Sequence, residues 1–275
     1  MTPRGVRRAL ASLLAAGALL ASNACADRRP TPALRVCADP NNLPFSNRDG
    51  AGFENRIAEL LAADRHAPLE YTWWAQRRGF VRNTLAAGAC DVVIGVPWES
   101  DVAATTRPYY RSTYVFVSRL ERGLDLASLD DPRLTQLRLG VQMIGDDFSN
   151  TPPAHALARR GLVRNVVGYS VYGDYSKPAP LATIVDAVDR GDVDAALVWG
   201  PAAGFFAKTA RHPIELTPVT SRADVPSLPF EFDMSMGVRR GDATRQAELD
   251  DFIVRRRAEI DRILDAYGVP RVGDH

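Results

Sequence analysis

Residues 34–45 read Leu-Arg-Val-Cys-Ala-Asp-Pro-Asn-Asn-Leu-Pro-Phe, and this stretch decides the fold. Its short apolar run stops at Asp39 and Pro40, residue types that end strands and build turns. From Phe53 onward, apolar residues recur with the 3.6-residue period of a helix. This order predicts a buried strand, a loop and a helix. In an open parallel sheet such a loop lies at the carboxyl end of its strand, where ligand crevices form. An ordinary strand-to-helix turn is the alternative.

A second segment repeats the same plan. The first segment runs from Leu34 to Asp91 and the second from Leu137 to Asp194, so the end residues of both are 57 positions apart. Each contains an amphipathic helix and ends in Gly-x-x-Asp before an apolar strand. The equal spacing indicates two α/β units of one design, and the chain is long enough for two lobes.

Further elements connect these two units. Aromatic and β-branched residues predict a strand over residues 69–74, and a helix is expected over about 78–87. Strands over 114–117 and 233–238 are predicted to cross between lobes, and one long last helix then returns to the first lobe. The predicted fold is α/β and two-lobed, with a hinge of two crossing segments. The predicted division is 33–117 plus about 203–272 for lobe 1, and 118–202 for lobe 2.

The first 26 residues are typical of an export signal. Three arginines precede an apolar run over residues 9–21, and residues 24–26 (Ala-Cys-Ala) fit the pattern of small residues at a cleavage site. The run is short for a bilayer span, so a retained membrane anchor is the weaker alternative. Cys25 would suit a lipoprotein, but Ser22 stands where that pattern has a bulky aliphatic residue. We expect cleavage near Ala26, a periplasmic product and no stable membrane insertion.

Composition argues against several kinds of partner. Cleavage near Ala26 removes three of the 34 basic residues, which leaves 31 against 33 acidic ones and a net charge of −2. Nucleic acids and anionic lipids are bound by clustered Lys and Arg, so neither partner is expected. The four histidines are scattered and no Cys-x-x-Cys motif occurs, so no metal site is expected.

The mature chain keeps two cysteines, Cys37 and Cys90. An oxidising compartment favours a disulfide between them. The expected strand register opposes it, because parallel neighbours in that register would hold the two Cα atoms beyond the limit of about 7 Å. Both alternatives stay open at this point.

Several strings of residues carry a resemblance to a known family. The motif Asp-x-x-x-x-Pro-Phe at residues 39–45 and the Pro-Tyr-Tyr segment at 108–110 resemble extracytoplasmic solute-binding proteins related to polar amino-acid receptors (family 3). More narrowly, residues 37–47, 52–55, 73–80 and 107–114 resemble the quinoprotein-dehydrogenase-associated branch, which is the MoxJ, MxaJ and XoxJ family. The resemblance covers about residues 34–267.

This resemblance implies a periplasmic accessory protein in methanol oxidation. Such a protein binds a PQQ-dependent methanol dehydrogenase and supports its maturation, activation or electron transfer, with the c-type cytochrome as a second partner. PQQ and metal would belong to the dehydrogenase, so no cofactor is expected in this chain. No serine-hydrolase elbow, dinucleotide fingerprint or phosphate loop occurs in the sequence, so the chain is not expected to be an enzyme.

The sequence departs from amino-acid receptors where they bind their ligand. Those receptors grip the ligand carboxylate with an arginine ahead of the Pro-Tyr segment. Here residues 98–101 read Trp-Glu-Ser-Asp. The second lobe of those receptors usually binds an anion at a helix N-terminus. That site is also missing here, because Gly145 is followed by Asp146 and Asp147. An amino-acid ligand is therefore disfavoured, and a receptor for a small polar or cationic ligand of an ABC transporter is the alternative function.

Candidate site residues follow predicted strand ends or turns and are expected in the cleft or against a partner. Aromatic residues among them suit an interface, although each one alone is as compatible with packing. A loop with Tyr at positions 169, 172 and 175 is likewise compatible with a partner contact or with packing. The candidates are Asp39, Asn41, Asn42, Phe45, Trp98, Glu99, Tyr109, Tyr110, Gln142, Asp146 and Trp199.

Overall fold

Strands form where the sequence carries short runs of β-branched and aromatic residues. The computed structural model describes residues 31–144, 150–170, 175–220, 224 and 227–273, so the predicted export signal lies outside the described residues. In chain order the strands are β1 (Leu34–Ala38), β2 (Asn41–Asn42), β3 (Ser46–Asn47), β4 (Leu69–Trp73), β5 (Val92–Pro97), β6 (Ala104–Thr105), β7 (Tyr110–Arg119), β8 (Leu139–Met143), β9 (Val166–Ser170), β10 (Ala195–Trp199), β11 (Ile214–Pro218) and β12 (Glu231–Val238).

Helices form where apolar residues recur at the helical period, and each buries one stripe against the sheet. They are α1 (Phe53–Asp64), α2 (Phe80–Asn83), α3 (Pro152–Arg159), α4 (Ala182–Arg190), α5 (Gly200–Ala207), α6 (Ala243–Arg255) and α7 (Arg257–Ala266). Short 3-10 turns lie at Leu120–Arg122 and Pro132–Thr135. None of the helices in the described ranges is long and apolar enough to cross a membrane.

The long strand β7 is shared by both halves of the molecule. Strands pair in the order β4-β1-β5-β12-β7-β10-β8-β9. The first half of β7 pairs with β12, and its second half pairs with β10 and β11. We call the β4-β1-β5-β12 side with α1, α6 and α7 the first lobe, and the β10-β8-β9 side with β11, α3, α4 and α5 the second lobe. The predicted two-lobed α/β fold is confirmed, with β7 and the return from β11 to β12 as its two crossings.

The chain stays in the second lobe longer than the sequence suggested. In α5, Ala202 and Phe206 pack in one cluster with Val115 and Val117 of β7. Strand β11 then pairs along β7. The predicted division placed residues 203–272 in the first lobe, whereas these contacts group α5 and β11 with the second. The limits of the lobes stay a prediction.

The internal repeat is visible as matching hydrogen bonds. The backbone N–H of Arg35 donates to Asp91 Oδ2 at 3.3 Å, and that of Arg138 donates to Asp194 Oδ2 at 2.8 Å. In both units the arginine guanidinium also donates to the carbonyl of the glycine three residues before the aspartate. Each Gly-x-x-Asp motif therefore ties the turn after a helix to the start of a neighbouring strand.

Two helix predictions were wrong in length. The helix expected over about 78–87 covers only α2, because Thr84 leaves the helical conformation. The last helix is broken at Arg256 into α6 and α7. Successive side chains of a straight helix diverge by about 100°. Arg255 and Arg256 both bind Asp64 of α1, at 2.8 and 2.7 Å, and the break allows both contacts.

A disulfide joins Cys37 to Cys90, with 5.6 Å between the Cα atoms. The register argument against it was wrong. Cys37 lies opposite Thr72 of β4 and Val93 of β5, but Cys90 precedes β5 and is not bound by that register. The chain before it turns toward β4, where Thr72 Oγ1 donates to the carbonyl of Ala89 at 2.8 Å. This turn brings Cys90 against Cys37.

Removing this bridge should destabilise the first lobe. The cysteines are 53 positions apart, so the double variant Cys37→Ala and Cys90→Ala releases a long loop in the unfolded chain. We expect a loss of about 2–4 kcal/mol in the free energy of unfolding, measured with urea. Wild-type protein unfolded in the presence of a reductant is the control and should approach the variant. Equal midpoints for the oxidised wild type and the variant would contradict the prediction.

Candidate functional site

The Asp39 carboxylate connects three loops. It follows β1, where Pro40 ends the strand, and only 4% of the residue is exposed. Its Oδ1 accepts a hydrogen bond from the backbone N–H of Asn41 at 2.8 Å. Its Oδ2 accepts from the backbone N–H of Gln76 and from the Tyr175 hydroxyl, both at 2.7 Å. Charge-assisted hydrogen bonds of this kind are among the stronger ones. The carboxylate thus ties the loop after β1 to the loop after β4 and to the second lobe.

The loop after β1 also packs its apolar side chains onto the second lobe. Leu43 and Phe45 contact the cluster built around α4 and α5. Phe45 also packs against Phe53 of α1, with ring centroids 5.3 Å apart. The Asn41 side chain donates to the carbonyl of Lys177 at 2.7 Å. We call these contacts, with the Asp39–Tyr175 hydrogen bond, the cross-cleft contacts. They hold the two lobes together through the chain's own side chains.

A cavity of about 360 Å³ remains behind the cross-cleft contacts. Its described lining contains the carboxyl groups of Asp39 and Glu54 and no Lys, Arg or His. Such a lining suits a cation or a polar neutral group and repels an anion. The full described lining is Asp39, Asn41, Asn42, Phe45, Glu54, Gln76, Gly95, Pro97, Tyr114, Gln142, Ile144, Thr151, Tyr175, Leu181, Trp199, Ala202, Phe232 and Met234.

Glu54 is the second carboxyl group of the cavity and lies in the first turn of α1. It packs so closely on β5 that a Cβ at Gly95 would overlap its Oε1 atom. Burial, together with repulsion from Asp39, raises the pKa of Glu54 from 4.5 to about 8. At neutral pH the group therefore keeps its proton. A protonated carboxyl can donate a hydrogen bond, which a carboxylate cannot.

Aromatic rings form the opposite wall of the cavity. Trp199 packs against Tyr114 and Phe232, with ring centroids 5.2 and 5.8 Å apart. The backbone N–H of Trp199 donates to Gln142 Oε1 at 2.8 Å, and the Gln142 carbonyl accepts from the Thr151 hydroxyl at 2.5 Å. Gln142 is 3% exposed. Its amide thus fixes the turn from β10 into α5 that positions the ring of Trp199.

The structure brings together six of the residues that the sequence pointed to. They come from the loop after β1 and from the ends of β8 and β10, where strand ends meet at the cleft. Whether they bind a ligand or a partner stays a prediction. Asp146 lies outside the described residues. The six are Asp39, Asn41, Asn42, Phe45, Gln142 and Trp199.

Four other candidates lie elsewhere. Tyr109 and Tyr110 are fully buried in the first-lobe core, because β7 enters that core at its first residue. The Tyr109 hydroxyl donates to the carbonyl of Ile94 at 3.1 Å, and burial raises the pKa of both phenols. Trp98 and Glu99 follow β5, are exposed and do not line the cavity. Expecting Tyr109 and Tyr110 in the cleft was wrong, because both are buried in the core. A contact of Trp98 or Glu99 with the cleft rim or with a partner stays a prediction.

Other lining residues were missed by the sequence interpretation. Glu54 stands in the first helical turn after the cleft loop, where an acid is also common for stabilising a helix N-terminus. Gln76 contributes a backbone donor, which any residue type would supply. Tyr175 was noticed as a loop aromatic, but its contact with Asp39 depends on tertiary structure. Phe232 and Met234 lie on β12 and line the cavity. The register of β12 decides which of its side chains face the cavity. In the described residues no group of three or more His, Cys, Asp or Glu is arranged to hold a metal ion.

Replacing Glu54 with Gln tests its protonation. The folded protein keeps a proton that the unfolded chain loses above about pH 4.5, so the stability that this group contributes is present below that pH and is lost as the pH rises toward 8. Relative to Glu54→Gln, the wild-type free energy of unfolding should fall by at most about 1.4 kcal/mol per pH unit over this range. Urea unfolding at several pH values measures it. Glu59→Gln, at an exposed site on α1, is the control. A pH-independent difference for Glu54→Gln would contradict this account.

Replacing Tyr175 with Phe tests the cross-cleft contacts. The change removes one donor from the Asp39 carboxylate and should cost about 1 kcal/mol. Amide hydrogen exchange of residues 41–47 should become faster, because that loop loses a tie to the second lobe. Tyr169→Phe is the matched control, since no described group bonds to its hydroxyl. Unchanged exchange over residues 41–47 would show that this hydrogen bond does not hold the loop.

Comparisons with known proteins show to which family the chain belongs. No model of a protein family matches the chain. The MoxJ protein of Methylorubrum extorquens is 32% identical over 249 residues, which cover 86% of this chain and 81% of that protein.

Two crystal structures are similar over most of the chain. The periplasmic binding protein XoxJ from Methylobacterium extorquens AM1 has 35% identity and a TM-score of 0.71, and the match covers 88% of this chain and 100% of that one. MxaJ from Methlophaga aminisulfidivorans MPT has 26% identity and a TM-score of 0.73, covering 87% and 100%. The 32% identity to MoxJ over most of both chains shows the family, and the XoxJ structure shows the fold. The chain therefore belongs to the MoxJ family and has the two-lobed fold of a periplasmic binding protein.

Proposed function

We propose that this protein is a periplasmic accessory protein of methanol oxidation that binds a PQQ-dependent methanol dehydrogenase. It supports the maturation or activation of that enzyme, or its electron transfer to a c-type cytochrome. Membership of the MoxJ family supports the connection to methanol oxidation. The export signal, cleaved near Ala26, delivers the chain to the periplasm, where the dehydrogenase works.

The observation that carries this proposal is the closure of the cleft by the chain itself. A solute receptor needs an open cleft whose polar groups await a ligand. Here Leu43 and Phe45 fill part of the space between the lobes. The oxygens of Asp39 are already bonded to donors from Asn41, Gln76 and Tyr175. The protein therefore acts through its surface rather than by trapping a solute.

The chain contributes no chemistry of its own to the reaction. The cavity lining has no thiol, serine or histidine to act as a nucleophile or base in its described part. Glu54 and Asp39 serve structural roles there, one as a protonated buried group and one as the tie between loops. PQQ and the metal ion belong to the dehydrogenase.

A second candidate function is favoured by one observation. The remaining cavity has two carboxyl groups, an aromatic wall and no basic side chain in its described lining. Aromatic faces attract cations. A receptor for a small polar or cationic solute of an ABC transporter would use the same cavity.

Calorimetry separates the two functions. Residues 27–275 are titrated with the apo and holo forms of the dehydrogenase from the same source, and with its c-type cytochrome. We expect saturable binding to the dehydrogenase and a change in its activity or cofactor loading. Absence of binding to all three proteins would overturn the proposal.

Thermal shift with a panel of amines and polar solutes is the complementary measurement. A receptor gains RT ln(1 + [L]/Kd), about 2.7 kcal/mol at a hundredfold excess over Kd. We expect no stabilisation by any solute. A stabilisation that Glu54→Gln abolishes would establish the receptor instead.

A further inference from the structure

The loop after β4 carries an unusual charge pattern. Residues 71–90 contain three arginines and no acidic residue, although the mature chain is slightly acidic overall. Trp74 opens this loop and is 46% exposed. Arg77 and Arg82 follow it and are exposed as well.

Arginines near Trp74 differ from most others in the structure. Elsewhere the guanidinium groups are mostly paired with carboxylates, as in Arg35–Asp91 at 2.7 Å. Arg48, Arg77 and Arg82 have no ion pair with any described residue. Arg48 lies over the ring of Trp73 at 5.7 Å, and Arg77 lies over the ring of Tyr175 at 5.2 Å. These cation–π contacts orient the guanidinium groups and leave their charge unneutralised.

The loops that carry these side chains are held rigidly together. The Asn42 amide donates to Gln76 Oε1 at 2.9 Å, and the N–H of Gln76 is bound by Asp39. The N–H of Arg48 donates to the carbonyl of Pro40 at 3.1 Å. Since β1 and β4 are parallel neighbours, their loops emerge at the same edge of the sheet. We call the surface of Trp74, Arg48, Arg77 and Arg82 the Trp74 face.

We infer that the Trp74 face docks an acidic surface of the partner protein. This inference rests on the proposed function and names the surface and the chemistry of its contact. Trp and Arg are the residues most enriched at binding hot spots. Three guanidinium groups without a described ion pair and one exposed indole lie on loops at the same edge of the sheet. They match an acidic surface that has an apolar spot, since guanidinium binds carboxylate through two parallel hydrogen bonds.

Leu120 is an apolar control. Its side chain is 55% exposed on the short 3-10 turn Leu120–Arg122 that follows β7. Arg164 is a matched basic control, because it is exposed on the second lobe and has no described ion pair.

Binding of the holo dehydrogenase tests the inference. Residues 27–275 are compared as wild type, Trp74→Ala and Arg82→Glu, with Leu120→Ala and Arg164→Glu as controls, by calorimetry at low and at moderate salt. Thermal unfolding checks that each variant is folded. We expect Trp74→Ala and Arg82→Glu each to raise the Kd for the holo dehydrogenase about tenfold or more. The Kd of each control variant should stay within about twofold of the wild-type Kd. Salt should weaken wild-type binding more than binding by Arg82→Glu.

The outcomes separate this inference from the function on which it rests. Wild-type binding that Trp74→Ala and Arg82→Glu leave unchanged would overturn the Trp74 face and keep the accessory role. An equal loss of affinity in the control variants would also overturn the Trp74 face, because the effect would then not be specific to this surface. Failure of the wild type to bind the holo dehydrogenase would overturn the docking surface, and failure to bind the apo form and the cytochrome as well would overturn the accessory role.

Discussion

The hydrogen bonds of the Asp39 carboxylate are the constraint on which the cleft depends. A carboxylate that is almost fully buried is costly unless donors satisfy its oxygens. Asn41, Gln76 and Tyr175 satisfy them from three separate segments. Because one group needs all three donors, the loops after β1 and β4 and the start of the segment after β9 are fixed relative to one another. The closed cleft, the cavity behind it and the Trp74 face all follow from this arrangement.

The same fold serves two different purposes depending on what fills the cleft. In an amino-acid receptor, fixed positive charge and helix N-termini are left free for a ligand. In this chain the polar groups of the described cleft residues form hydrogen bonds with each other. The cavity that remains is lined by carboxyl groups. The raised pKa of Glu54 keeps one of them neutral, which limits the repulsion between two acids in one small space. Under the proposed function, a binding-protein fold that is closed in this way binds its partner through its outer surface.

Much of the fold could be predicted from the sequence because local patterns encode it. The strand before Asp39, the helix from Phe53 and the repeated Gly-x-x-Asp motif all correspond to elements of the structure. The break at Arg256 could not be predicted, since no glycine or proline stands near it in the sequence. The disulfide likewise depends on a turn whose direction the sequence does not state.

The candidate site was predictable only in part, for related reasons. Residues at strand ends, such as Asp39 and Trp199, were found because topology brings strand ends together. Tyr109 was misplaced, since the Pro-Tyr-Tyr segment marks the start of a buried strand as well as a cleft edge. Glu54 and Phe232 were missed because a helical turn and a strand register decide where they point.

The distance between the lobes in solution shows whether the cleft is closed without a ligand. Spin labels at Asp49→Cys and Val163→Cys of residues 27–275 report that distance by pulsed electron resonance. Both positions are exposed and lie in different lobes, and Cys37 and Cys90 are engaged in their disulfide. We expect one narrow distance distribution in the ligand-free protein, unchanged by solutes. A second, longer distance that disappears on addition of a solute would contradict it and would make the chain a receptor that closes on its ligand.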